Sequence, residues 1–191
     1  MAKTPTAPLI VGIGGTTRAG SSTERALRSA LVIAGQRGAQ THLFDGPFLA
    51  ALPTYNPEAT ERTAEEMNFV DTVRQADAIV IASPGYHGGV AGFVKNAIDL
   101  LEETSRDDRI YFDGLPVGMI IAAYGWQATG STLSSLRSIV HAMRGWPTPF
   151  GVTINSRETQ FGDDGGCSDP RVPEQLAAMI DQILWFTAGR F

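Results

Sequence analysis

Five short apolar segments, each followed by a stretch with helical periodicity, organise this chain. The apolar runs predict strands at 8–14, 39–45, 77–84, 115–124 and 148–155. Apolar residues that recur every three or four positions predict helices at 22–36, 63–76, 90–103, 131–144 and 174–187. This alternation is typical of a parallel sheet covered by helices on both faces. With right-handed crossovers, we expect a single α/β domain over residues 1–191, with five parallel strands in the order 2-1-3-4-5.

Two segments lack a periodic pattern and are predicted to be irregular. Residues 46–62 contain three prolines, and residues 156–170 are polar and rich in glycine and aspartate. The helix after the first of these segments has a clear start signal, because Thr63 precedes Glu66 by three residues. That spacing predicts a capping box, in which each side chain accepts a hydrogen bond from the other residue's amide.

Composition narrows the possible functions. The 191 residues include 15 Lys and Arg against 20 Asp and Glu, a net charge of −5, without a basic run. This balance argues against nucleic-acid and anionic-membrane partners, which need clustered basic residues. The single cysteine, Cys167, cannot form an intrachain disulfide or a cysteine-based metal cluster. The sequence shows no membrane span or secretory signal, so we expect a cytoplasmic protein.

Glycine makes up 21 of the 191 residues, which is more than the usual share of about 7%, and many of these glycines lie at strand ends. Glycine-bearing turns at 14–23, 83–89 and 123–130 follow the first, third and fourth predicted strands. In the strand order 2-1-3-4-5 these strands are neighbours, and their carboxyl ends share one edge of the sheet. Ligands of open α/β sheets bind at that edge. We therefore expect the three turns to form one site.

The first turn has the chemistry of a phosphate site. Arg18 offers a planar fork of donors, and the following helix directs its free amides toward the turn. The pattern matches neither a dinucleotide fingerprint nor a Walker loop. A plain helix cap formed by Ser21 and Glu24 is the structural alternative. The hydroxyl-bearing residues of the turn are Thr16, Thr17, Ser21, Ser22 and Thr23.

The other two turns combine glycines with aromatic side chains, which suits a flat heterocycle. The second supplies Pro84, Gly85, Tyr86, His87 and Gly88, and the third supplies Tyr124, Gly125 and Trp126. Taken alone, each could be an ordinary turn with aromatic packing. Together with a phosphate site they predict a mononucleotide with a planar head group. FMN fits best, since it binds at this position in flavodoxin.

These residues resemble motifs of the NADPH-dependent FMN reductase family, which includes flavin, quinone, azo-dye and chromate reductases. The segment Gly15–Ser21 resembles the pattern G-S-x-R-x-x-S. The segment Ser83–Gly88 and the following Lys95-Asn96-Ala97-Ile98-Asp99 resemble a Ser-Pro-x-Tyr turn and its helix. The resemblance implies a flavodoxin-like three-layer sandwich. This chain departs from the pattern in having Thr16 for serine, and Gly85 where many members have glutamate.

The resemblance also implies an activity and the roles of the turns. Thr16, Arg18, Ser21 and Thr23 would hold the phosphate of FMN, and the second and third turns would contact its ring. The implied reaction is hydride transfer from NAD(P)H to FMN, and we expect reduced FMN to be supplied to a partner monooxygenase. No side chain is expected to act as a catalytic acid or base. The alternatives are an NAD(P)H quinone, azo or chromate reductase with tightly bound FMN, a non-enzymatic electron carrier, and a nucleotide-binding module without redox chemistry.

Two further expectations concern surfaces outside these turns. The resemblance implies a homodimer or homotetramer, with the apolar helix at 90–101 contributing to a subunit contact. Arg106 and Arg109 could bind a phosphate of the nicotinamide nucleotide. The alternative for this pair is a solvated loop, because Asp107 and Asp108 lie between the two arginines.

Overall fold

The computed structural model describes residues 7–162 and 166–189, which form seven strands and six α-helices. The strands are β1 Leu9–Gly14, β2 Gln40–Phe44, β3 Ala78–Tyr86, β4 Gly89–Val90, β5 Pro116–Ala123, β6 Trp146–Pro147 and β7 Val152–Asn155. The helices are α1 Ser22–Gln36, α2 Gly46–Ala51, α3 Ala64–Gln75, α4 Gly92–Leu100, α5 Trp126–Ala142 and α6 Arg171–Ala188, with a 3-10 turn at Leu101–Thr104.

The sheet has the predicted order. Strands run β2-β1-β3-β5, and both β6 and β7 pair with β5. All pairs are parallel except that between β3 and β4, which form an antiparallel hairpin. Counting β1, β2, β3, β5 and β7 as the five predicted strands gives the flavodoxin-like order 2-1-3-4-5. The sequence missed β4 and β6, which are only two residues long.

The core lies in two layers, one on each face of the sheet. Alternate residues of β1 divide between them, with Val11 and Ile13 on one side and Ile10 on the other. Helices α1 and α6 cover the Ile10 face, while α3, α4 and α5 cover the opposite face. Burial on both sides explains why β3 and β5 have almost continuous apolar sequences.

Several predicted elements differ from the structure, and three of the differences have a clear physical reason. Helix α5 begins at Trp126 rather than 131, because burial of Thr129 and Thr132 outweighs the turn-like composition of its first residues. Residues 46–51 form α2, where Asp45 caps the helix and Pro47 lies in the first turn. Strand β3 runs two residues past 84 because it continues into the hairpin.

The start of α3 follows the prediction. The Thr63 hydroxyl accepts a hydrogen bond from the Glu66 amide at 3.2 Å, and the Glu66 carboxylate accepts one from the Thr63 amide at 2.7 Å. Both halves of the capping box are therefore present.

Helix α4 packs inward. Val94, Ala97 and Ile98 are buried in the chain's own core, whereas Val90 and Phe93 are only partly buried, and a subunit contact through this segment stays a prediction. A homodimer or homotetramer stays a prediction.

In the part of the chain that the structure describes, none of the helices combines the length and apolar character needed to cross a membrane.

Candidate functional site

The carboxyl ends of β1, β3 and β5 open onto a cleft of about 900 Å³. Twelve of the thirteen residues predicted for the site line this cleft: Thr16, Arg18, Ser21, Ser22, Thr23, Pro84, Gly85, Tyr86, His87, Gly88, Tyr124 and Gly125. The exception is Trp126, the first residue of α5, which is half exposed and lies outside the lining. The three turns therefore converge as expected, although a role in binding stays a prediction for each residue.

The turn after β1 passes very close to neighbouring backbone. A Cβ on Gly14 would lie 1.8 Å from the carbonyl oxygen of Ala82, and one on Gly46 would lie 2.1 Å from the carbonyl oxygen of Thr16. Gly14 also has a φ of 137°, which L side chains rarely adopt. Only glycine fits at these two positions, so the path of the turn depends on them.

Side chains within this turn fix its shape. The Thr16 hydroxyl accepts a hydrogen bond from the Arg18 amide at 3.2 Å and donates one to the Arg18 carbonyl at 3.0 Å. Thr16 is buried, and it thus holds the backbone that carries Arg18. The sequence predicted a direct contact with phosphate for Thr16, whereas the structure already engages its hydroxyl within the turn.

The helix cap and the candidate anion site coexist. The Ser21 hydroxyl accepts a hydrogen bond from the Glu24 amide at 3.2 Å. The Glu24 carboxylate accepts from the Gly20 amide at 2.9 Å and from the Arg28 guanidinium at 2.8 Å. Glu24 is absent from the cleft lining, so its charge is engaged away from the site.

Several donors remain unengaged at this end of the cleft. The first-turn amides of Ser22 and Thr23 have no acceptor within the helix, and the positive end of the α1 dipole adds to them. Thr23 is a buried residue that lines the cleft, and its hydroxyl has no hydrogen-bond partner among the described residues. The Arg18 guanidinium likewise has no partner in the described part of the chain. This donor set suits a phosphate group.

The second turn is a tight hairpin between β3 and β4. His87 has a φ of 53° and Gly88 a φ of 79°, the two consecutive positive values of a type I′ turn. The buried Ser83 hydroxyl donates to the Pro84 carbonyl at 2.9 Å and accepts from the Ala91 amide at 3.0 Å. Ser83 thereby fixes the base of the hairpin, and the hairpin forms one wall of the cleft.

Two tyrosines stand at the cleft with large exposed surfaces. Tyr86 is 59% exposed at the end of β3, and Tyr124 is 78% exposed just after β5. Gly125 adds no side chain beside Tyr124, and a Cβ at this position would meet open space. Exposed aromatic side chains next to small residues favour the binding of a planar ring.

Seven lining residues were missed from the list predicted for the site: Thr17, Ala122, Ala123, Gln127, Ala128, Ser131 and Ser156. Gln127 and Ala128 lie within the predicted turn 123–130 but were assigned no role there, and Ser131 was assigned to the helix that follows. The first turns of α5 carry all three to the cleft. Ser156 follows β7 at the same edge of the sheet, and its amide donates to the Ala123 carbonyl at 2.9 Å. Its place directly after the fifth predicted strand was the signal that could have identified it.

Arg106 and Arg109 lie at the other end of the sheet, beside the residues that lead into β3. The Arg109 guanidinium donates to the carbonyl oxygens of Val73 and Ala76, both at 2.7 Å, at the end of α3. Arg109 is thus a cap for that helix, and neither arginine lines the cleft. The suggested contact with a nicotinamide nucleotide in the cleft is therefore wrong for this pair.

The residues that line the cleft suit the chemistry of FMN. Arg18 is the one lysine, arginine, aspartate or glutamate among the lining residues, and it stands with free helix amides where the phosphate would bind. The opposite walls present a hairpin, two exposed tyrosines and glycines. The volume lies within the range of roughly 300–1,000 Å³ usual for small-molecule sites.

Comparison with known proteins adds the following. The family model of NADPH-dependent FMN reductases matches residues 8–159. An NAD(P)H-dependent FMN reductase of Pseudomonas aeruginosa is 29% identical over 186 residues, covering 92% of this chain and 94% of that protein. An FMN-dependent NADPH-azoreductase of Staphylococcus saprophyticus is 36% identical over 115 residues, covering 59% and 57%.

A solved structure is also similar. The flavoenzyme NAD(P)H:(acceptor) oxidoreductase of Paracoccus denitrificans is 18% identical and has a TM-score of 0.78, with 95% of this chain and 98% of that chain covered. At this identity the likeness establishes the shared fold.

Proposed function

Because this chain belongs to the NADPH-dependent FMN reductase family, we propose that it transfers hydride from NAD(P)H to FMN bound in the cleft and releases reduced FMN to a partner monooxygenase. The observation that carries the proposal is the convergence on one cleft of free helix amides, two exposed tyrosines and Arg18, which has no partner among the described residues. FMN supplies the hydride-accepting ring, and the protein supplies position and electrostatics.

Each part of the cleft has a defined task in this proposal. Arg18 and the first amides of α1 bind the phosphate of FMN, and Thr23 donates its free hydroxyl to the same group. The hairpin at 84–88 supports one side of the ring, and Tyr124 with Gly125 approaches the other. No lining side chain needs to exchange a proton for hydride transfer, in keeping with the absence of a predicted catalytic acid or base.

The openness of the cleft favours FMN as an exchanging substrate. Tyr86 and Tyr124 are mostly exposed, and one arginine provides the charged contact. A second candidate is an enzyme that retains FMN and reduces azo dyes, quinones or chromate. The azoreductase among its relatives favours this alternative, although the match covers only 57% of that protein.

The enzyme that releases FMN and the enzyme that retains it differ in how their activity depends on added flavin. The purified protein is examined for bound flavin by visible absorbance, and oxidation of NADH and NADPH is then measured with and without added FMN. We expect oxidation that saturates with added FMN. Activity toward a quinone or azo dye that is independent of added FMN would identify the flavin-retaining enzyme. Flavin binding without NAD(P)H oxidation would indicate an electron carrier, and no flavin binding would overturn the proposal.

Delivery of reduced FMN needs a separate measurement. A flavin-dependent monooxygenase that has no reductase of its own is added, and its product is followed. We expect product only when this protein, NAD(P)H and FMN are all present. Arg18→Ala serves as the matched variant, since it should require more FMN for the same rate of product formation. If FMN is reduced but no product forms, the reductase activity stands and the delivery of reduced FMN to a monooxygenase is refuted.

A further inference from the structure

The proposed reaction brings a second phosphate-bearing molecule to the cleft. A nicotinamide dinucleotide carries a pyrophosphate, and NADPH carries an additional 2′-phosphate. Arg18 and the start of α1 are assigned to the phosphate of FMN, and Arg106 and Arg109 lie at the wrong edge of the sheet. A cation for the dinucleotide must therefore be sought elsewhere at the carboxyl edge.

The turn that follows β7 at this edge is rigidly built. Asn155 is 97% buried, and its side-chain oxygen accepts a hydrogen bond from the Arg157 amide at 3.2 Å. The Asn155 side-chain nitrogen donates to the Glu158 carboxylate at 2.6 Å. The Ser156 amide donates to the Ala123 carbonyl at 2.9 Å, which ties the turn to β5. These bonds fix the position of Ser156 in the cleft lining and of Arg157 beside it.

Arg157 differs from the other arginines near this edge. Its side chain is exposed and has no hydrogen-bond or ionic partner among the described residues. Arg28 is held by Glu24, and Arg171 forms a close pair with Asp169. Arg25 donates to the Gly20 carbonyl at 2.9 Å. Together with Arg18, Arg157 is thus an arginine next to the cleft that is available for a ligand.

We propose that Arg157 binds a phosphate group of the nicotinamide dinucleotide and so determines affinity for this second substrate. The inference rests on the proposed function, because it assumes that NAD(P)H approaches the cleft. Guanidinium groups suit phosphate oxygens, since two parallel N–H donors match their geometry. The immobilised backbone at Asn155 and Ser156 holds the base of the Arg157 side chain in place, which reduces the entropy lost on binding.

The test compares Arg157→Ala with Arg106→Ala. Both variants remove one exposed arginine without a partner in the described chain, and Arg106 lies at the opposite edge. For the FMN-loaded proteins, KM and kcat are measured with NADH and NADPH, and binding of NAD⁺ and NADP⁺ is measured by calorimetry. We expect Arg157→Ala to raise KM and Kd about tenfold, the loss typical of one charged hydrogen bond. Its kcat and its affinity for FMN should stay unchanged, and Arg106→Ala should match the wild type.

The two dinucleotides identify the phosphate that is bound. A loss of affinity for both dinucleotides indicates that Arg157 binds the pyrophosphate. A loss of affinity for NADPH and NADP⁺ alone indicates that it binds the 2′-phosphate. Equal behaviour of the two variants with both dinucleotides would overturn the proposal, as would a weakened affinity of Arg157→Ala for FMN. Should Arg157→Ala fail to fold, Arg157→Lys and Arg157→Gln take its place, with lysine expected to retain more affinity.

The outcome is distinguishable from failure of the proposed function. A wild-type protein that binds FMN but oxidises neither NADH nor NADPH would refute the reductase activity. A wild-type protein that oxidises them, together with an Arg157→Ala variant that behaves like Arg106→Ala, would refute the role of Arg157 alone.

Discussion

Gly85 in the cleft wall lies directly against Thr132 of α5. A Cβ on Gly85 would be 2.9 Å from the Thr132 hydroxyl oxygen and 3.0 Å from the Cβ of Ala123. Thr132 is fully buried, and its hydroxyl has no hydrogen-bond partner in the described structure. Glycine at position 85 thus lets the hairpin approach α5 closely.

We expect Gly85→Ala to lower the free energy of unfolding by about 1–3 kcal/mol, the usual cost of overpacking. The added methyl must displace either the hairpin or α5. Urea unfolding of the single variant, of Thr132→Ala and of the double variant measures the coupling. The alanine should cost less in the Thr132→Ala background, because the nearest obstructing atom is gone. Equal costs in both backgrounds would show that Thr132 does not limit the space at Gly85.

Thr132→Val should raise the free energy of unfolding by about 1 kcal/mol, because it removes a buried hydroxyl that has no partner while keeping the shape. Thr129→Val is the matched control on the same helix. Thr129 is also buried, but its hydroxyl donates to the Trp126 carbonyl at 2.9 Å. The control should therefore destabilise the protein. Thermal unfolding of the two variants checks the opposite signs, and destabilisation by Thr132→Val would show that its hydroxyl is satisfied in solution.

Arg18→Ala should weaken FMN binding by about 1.5–3 kcal/mol, the contribution of a hydrogen bond to a charged group. Fluorescence titration with FMN measures the change, and titration with riboflavin, which lacks the phosphate, tests its cause. Riboflavin should bind the wild type and the variant equally. Thermal stability should change little, since the Arg18 side chain has no partner among the described residues. An unchanged affinity for FMN would show that its phosphate does not bind at the Arg18 end of the cleft.

Much of the fold and the cleft could be predicted because local patterns determined them. Apolar runs located the five main strands, and the order of elements brought turns 14–23, 83–89 and 123–130 to one edge. The start of α5 was missed because Gly125 offers no side-chain cap, so its first turn looks like a loop. The partners of Arg109, and the lack of a partner for Arg157 among the described residues, depend on how distant segments pack, which no local pattern contains.

The Lys-Asn-Ala-Ile-Asp motif shows a related limit, because its polar residues lie outside the cleft lining. Asn96 instead ties the segment before α3 to α4. Its side-chain oxygen accepts from the Tyr55 amide at 2.7 Å, and its nitrogen donates to the Pro53 carbonyl at 2.9 Å. Lys95 forms an exposed pair with Asp99 one turn along the helix. The motif thus has a structural role, besides being a sequence feature by which the family resemblance is identified.

Asn96→Ala should lower the free energy of unfolding by about 1–3 kcal/mol, because two backbone groups lose their partner at once. Lys95→Ala is the neighbouring control, and loss of its exposed ion pair should cost at most about 1 kcal/mol. Urea unfolding gives both values, and FMN titration of the folded variants should show equal affinities. The hydrogen bonds between α4 and the segment at 53–55 should affect folding and not the cleft. A large loss of FMN affinity in Asn96→Ala, with unchanged stability, would therefore contradict this role and show that Asn96 takes part in FMN binding.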